Sequence, residues 1–121
     1  MSKHPIVHME IAAKDPKAAG KFYADLFGWE TQHDEQMNYV MFNPGEGPGG
    51  GLPELDESVK VDRVLIYVQT DDIEASLKKA ESLGGKTIME KAEIPNTGWF
   101  AFFSDPTGNT IGLYTSMNPE G

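Results

Sequence analysis

The chain has no cysteine among its 121 residues. Disulfides, thiolate metal sites and cysteine nucleophiles are therefore excluded, and a reducing, cytoplasmic compartment is expected. Basic residues are scarce too: 10 Lys and Arg stand against 19 Asp and Glu, for a net charge of −9. That balance repels nucleic-acid phosphates and anionic lipid, and the one adjacent basic pair, Lys78-Lys79, falls on an expected helix. No apolar run approaches the roughly 18 residues of a membrane span, and the N-terminus lacks the three-part pattern of a signal peptide. There is no G-x-S-x-G and no serine on a sharp strand-to-helix turn, which argues against nucleophilic hydrolysis.

What is present suits one globular domain over residues 1–121, because 39% hydrophobic and 10% aromatic residues can fill a core. From His4 to Ala13 the pattern is strand-like, with Val7, Met9 and Ile11 on one face and His8 and Glu10 on the other. A helix follows, with Asp15 as N-cap, Pro16 at its first position, Phe22 and Leu26 one turn apart, and Gly28 as the stop. Short strands are expected at Trp29 to His33, Tyr39 to Phe42 and Gly49 to Leu52, before an acidic, polar linker from Pro53 to Lys60. The order then repeats. Val64 to Gln69 reads as a strand, and Asp72 caps a helix with Ile73, Leu77 and Ala80 on one stripe that stops at Gly84-Gly85. Strands follow near Lys86 to Glu93, Trp99 to Ser104 and Asn109 to Thr115, the last after an Asp-Pro-x-Gly turn at Asp105 to Gly108.

A shift of 57 places Asp15 on Asp72, Gly28 on Gly85 and His8 on Leu65; a shift of 61 places Phe42 on Phe103, Gly51 on Gly112 and Leu52 on Leu113. The chain thus reads as a duplicated β-α-β-β-β module, about 4–55 and about 62–117, with four extra residues in the second copy. The expected class is α+β, each helix covering one sheet face while the other faces curl into an open, barrel-like cleft. Alternation then lines the cleft with His8 and Glu10, with Leu65 and Tyr67, and with Gly112 and Tyr114. Tyr39, Met41 and part of the aromatic group around Trp99 complete an apolar pocket with few polar handles. The run "GEGPGG" from Gly45 to Gly50 matches G-x-G-x-x-G, but it contains a proline and opens no helix. It reads as a loop with an edge strand, not as a dinucleotide fingerprint.

The paired modules resemble the vicinal oxygen chelate superfamily of glyoxalases, bleomycin-resistance proteins and extradiol dioxygenases. The likeness is carried by "VHMEIAAKDPKAAGKFYADLFGWE", "VLIYVQTDDIEASLKKAESLGGK" and "FFSDPTGNTIGLY". It implies the glyoxalase/bleomycin-resistance fold and a homodimer, while the superfamily spans lyases, isomerases, dioxygenases and pure binders. Its metal-dependent members take one ligand from each of four strands, and these positions carry over to His8, Gly51, Leu65 and Gly112. Only His8 among them can bind a metal, so no cofactor is expected, a divalent ion being the alternative. His8 reads either as a polar wall residue or as a base, and Glu10 either as a solvated strand carboxylate or as a proton-transfer partner. The resulting expectation is a protein that binds a small, partly aromatic or amphipathic molecule; the alternative is a lyase, isomerase or dioxygenase using His8 and Glu10.

Overall fold

The computed structural model describes residues 4–57 and 63–117. The end of the expected linker, from Ser58 to Lys60, and the start of the second module at residue 62 lie outside them. The element order is β1 (Ile6–Ile11), α1 (Pro16–Phe27), β2 (Glu30–Asp34), β3 (Tyr39–Asn43) and β4 (Gly49–Leu52), then β5 (Val64–Gln69), α2 (Ile73–Ser82), β6 (Lys86–Ile94), β7 (Gly98–Ser104) and β8 (Thr110–Ser116). This is the α+β class with two β-α-β-β-β modules. The described residues form two compact units, one within residues 7–57 and 63–66, the other of residues 4–6 and 67–117. Among the described residues no helix is long and apolar enough to cross a membrane.

In the first unit the strand order is β2-β3-β4-β1, with β4 parallel to β1 and the other pairs antiparallel. The glycine-rich strand β4 is therefore interior and not the expected edge. Its neighbours can come close because Gly50 has no side chain: a Cβ there would collide with the Met9 carbonyl oxygen. Helix α1 starts where the Asp15 carboxylate accepts the Ala18 N–H at 3.3 Å and ends at Gly28, whose left-handed φ of 77° closes a bond to the Ala24 carbonyl. Its sheet-facing stripe is Pro16, Ala19, Gly20 and Tyr23, packed with Ala13, Val40, Phe42 and Leu52. Phe22 and Leu26 instead face outward, each 58% exposed. Small residues hold the contact because the helix lies so near the sheet that a Cβ on Gly20 would stand 3.0 Å from Val40 Cγ1. Trp29 closes this core, stacking on Phe42 at 4.5 Å and on Tyr23 at 5.3 Å between ring centroids.

The second unit repeats the plan in the order β5-β8-β7-β6, with Ile73, Leu77, Ala101 and Leu113 as its core. Register tests the duplication directly. Val40 pairs with Leu52 as Ala101 pairs with Leu113, Met41 with Gly51 as Phe102 with Gly112, and Glu10 with Gly51 as Tyr67 with Gly112. The extra residues of the second copy lie in β6, nine residues long against five in β2, where register shifts interrupt its pairing with β7.

The turn before β8 is built by one carboxylate. Asp105 Oδ1 accepts the N–H groups of Thr107, Gly108 and Asn109 at 3.0, 2.9 and 2.9 Å, and Oδ2 accepts the Asn109 side-chain amide at 3.0 Å. These bonds, the Asn109 amide foremost, hold the Asp105 carboxyl below its ordinary pKa. A lowered folded-state pKa stabilises the fold above the unfolded value near about 3.9, and that stability is lost as pH falls through the folded pKa. Asp105→Ala is therefore expected to melt earlier than wild type at pH 7, with the gap closing on acidification below about pH 4. A gap that persists unchanged at low pH in thermal melts would show that the carboxylate does not organise the turn.

Candidate functional site

The site grows from the β1 alternation. Ile11 packs in the helix-side core, so His8 and Glu10 stand on the opposite face of the sheet. Register brings Gly51 beside Glu10 and Met41 beside Gly51, while Tyr39 precedes Met41 by two residues and shares its face. Tyr39 lies across β4: its ring and hydroxyl fill the volume a Cβ on Gly51 would need. Its oxygen then falls between the two β1 side chains, 2.9 Å from His8 Nε2 and 2.8 Å from Glu10 Oε2. His8 Nε2 and Glu10 Oε2 are themselves 3.8 Å apart, with their side chains 27% and 19% exposed.

A phenol has one proton, and here it is donated to the carboxylate. Tyr39 must then accept from His8, which places a proton on Nε2. The result is an imidazole oriented by a phenol that is in turn oriented by a carboxylate, a partner for His8 that sequence did not reveal.

Next to this triad lies a hollow of about 520 Å³, walled by His8, Glu30, Gln32, Met41, Asn43 and Gly49 among others. Met41 is 50% exposed and offers its thioether to it. Glu30, Gln32 and Asn43 went unnoticed in the sequence. They reach this face through the β2–β3 register, which pairs Glu30 with Asn43 and Gln32 with Met41. The turn setting that register carries a legible signal: Asn38 sits at φ 48°, and its side-chain oxygen accepts from His33 at 3.0 Å. His33 is half-buried in this contact.

The second unit contains the matching arrangement with aromatic residues around it. Tyr67 is buried and lies over Gly112, where a Cβ would stand 2.6 Å from Tyr67 Cδ2. The ring of Tyr67 meets Phe102 at 5.8 Å, and Phe102 meets Phe100 edge to face at 5.5 Å. Tyr114 pairs with Phe100 and donates its hydroxyl to the Thr97 carbonyl at 3.3 Å. Leu65 is half-buried in β5. Trp99 is placed differently from expectation: it alternates with Ala101 and Phe103 on the helix side, packs on the α2 core, and has Lys91 Nζ 5.2 Å from its ring. The β7 aromatic residues on the Gly112 face are Phe100 and Phe102.

These residues do not fit a divalent ion. His8 and Glu10 converge on a hydroxyl, the ring of Tyr39 covers Gly51, the ring of Tyr67 covers Gly112, and Leu65 has no donor atom. Among the described residues no three His, Asp or Glu side chains form a metal-sized cluster.

Gly51→Ala is expected to drive the Tyr39 hydroxyl from between His8 and Glu10, lowering the melting temperature and shifting the His8 ring resonances. Tyr39→Phe, which keeps the ring, should cost about 1–2 kcal/mol and shift the same resonances. If His8 resonances are unmoved in both variants, the triad does not exist in solution.

A family model described as a glyoxalase-like domain matches residues 8–114. A glyoxylase-like domain-containing protein of Didymella fabae is 30% identical over 115 residues, covering 88% of this chain and 90% of that protein. The anthracycline biosynthesis protein DnrV of Streptomyces peucetius is 25% identical over 136 residues, covering 93% of this chain and 47% of its own length, so this chain spans about half of it. Among solved structures, a glyoxalase/bleomycin resistance protein/dioxygenase superfamily member from Vibrio splendidus 12B01 superposes with a TM-score of 0.70 at 16% identity, covering 93% of this chain and 99% of that one. The chain belongs to the glyoxalase-like domain family of the vicinal oxygen chelate superfamily.

Proposed function

We propose that this protein binds a small, partly aromatic or amphipathic molecule against the sheet face that carries His8, and that it does so without the superfamily's metal site. The observation that carries this reading is the place of Tyr39. Its hydroxyl occupies the space between His8 and Glu10, and its ring seals Gly51 beside a hollow of about 520 Å³. That volume lies within the range of small-molecule sites. The similarity to DnrV, a protein of anthracycline biosynthesis, agrees with a ring-bearing ligand. The protein is further proposed to act as a cytoplasmic homodimer, pairing being what the superfamily resemblance implies.

A second reading, an isomerase, lyase or dioxygenase, is favoured by one observation: the phenol links an imidazole to a carboxylate, a chain along which a proton can pass. In this reading His8 and Glu10 are the acid–base pair and Tyr39 connects them. Turnover of a bound compound that is abolished by Tyr39→Phe while binding persists would move the assignment to an enzyme.

Metal titration tests the first reading. Protein purified without chelator is expected to carry no stoichiometric Zn²⁺, Ni²⁺, Mn²⁺ or Fe²⁺ and to take up none specifically; stoichiometric binding that disappears in His8→Ala would overturn the metal-free assignment. In a thermal-shift screen, a true ligand at a hundred times its Kd adds about 2.7 kcal/mol of stability. Stabilising compounds are expected to share an apolar ring and to lose their effect in Met41→Ala, whose side chain is exposed in the ligand-free fold.

A further inference from the structure

The hollow beside His8 has a wall of one electrical sign. The β2–β3 register sets Glu30 opposite Asn43, Gln32 opposite Met41 and Asp34 opposite Tyr39, so Glu30, Gln32 and Asp34 share the His8 face, and Glu10 joins them through Gly51. None of β1, β2, β3 or β4 contains a lysine or arginine. His33 pairs with Val40, a core residue, and belongs to the other face. That leaves His8 as the one basic side chain these four strands place on this face, and its Nε2 is turned to Tyr39 with Glu10 beside it. Around the hollow itself stand the Glu30 carboxylate, the carboxamides of Gln32 and Asn43, and the thioether of Met41.

An anion entering this space would meet the Glu30 carboxylate, with Glu10 and Asp34 on the same face, and no fixed cation of these strands, so that only carboxamide N–H groups replace its hydration. A protonated amine meets the opposite conditions. The Glu30 carboxylate and the side-chain oxygen of Gln32 are acceptors for its N–H groups, while Met41 offers surface to its apolar body. We infer that this hollow selects organic cations, an ammonium group carried on a ring, and that Glu30 is the residue that sets the selection. The inference rests on the ligand-binding reading above and narrows its chemical class.

The test uses three probes that share one ring: 2-naphthylmethylamine, 2-naphthylmethanol and 2-naphthoate, titrated at pH 7 with the Met41 methyl resonance as readout. The amine should bind tightest and the naphthoate weakest, with about tenfold or more between them at low salt and less at high salt. Glu30 is exposed, so Glu30→Gln and Glu30→Lys should fold as wild type does. The first should collapse the preference, and the second should put the naphthoate ahead. A naphthoate that equals or exceeds the amine on wild type, or an order that survives Glu30→Gln, overturns the cation assignment and leaves the binding site standing. If no probe moves the Met41 resonance at millimolar concentration, the ligand-binding reading fails, and the cation assignment fails with it.

Discussion

Each unit has four strands and one helix, and that ratio governs everything else. A single helix covers only one face of a sheet, so the period of two along each strand sorts side chains into a packed helix side and a second face with other work. On the helix side, Val40 and Leu52 in one unit and Ala101 and Leu113 in the other fill the same places. The second face is where the copies have diverged. One carries His8, Glu10 and Tyr39, the other Tyr67, Phe100 and Phe102.

Divergence on that face runs through a shared device, an aromatic ring laid over a strand glycine. Gly51 and Gly112 occupy equivalent register positions, and each gives up its side chain to a tyrosine. The tyrosines arrive by different routes, Tyr39 from β3 and Tyr67 from β5, so the duplication conserved the seat and not the occupant. In the first unit the ring's hydroxyl makes the glycine chemically consequential, because it locks an imidazole and a carboxylate into one hydrogen-bonded chain. In the second unit the ring meets Phe102, which in turn meets Phe100.

Much of this was legible in the residues. Asp15, Pro16 and Gly28 mark α1 by their capping chemistry, which is local, and the helix begins and ends where they say. His8 and Glu10 share a face by strict alternation in a short strand, again a local rule. Other readings failed where distance along the chain mattered. For Trp99, assignment to the second face required the β7 register, which the Leu113 pairing with Ala101 fixes in the opposite sense. The glycine strand became interior because two neighbours can close on a backbone with no side chains.

The sequence by itself determined the order of elements, the duplication and the absence of ligating atoms at Gly51, Leu65 and Gly112, because each follows from residue identity and short-range stereochemistry. Only the tertiary structure decided what those glycines are for. Open as both positions look in the sequence, each is filled by a ring from elsewhere in the chain, Tyr39 from twelve residues upstream of Gly51 and Tyr67 from forty-five upstream of Gly112. Side-chain contacts across a sheet are set by inter-strand register, a long-range quantity that no local pattern of residues encodes.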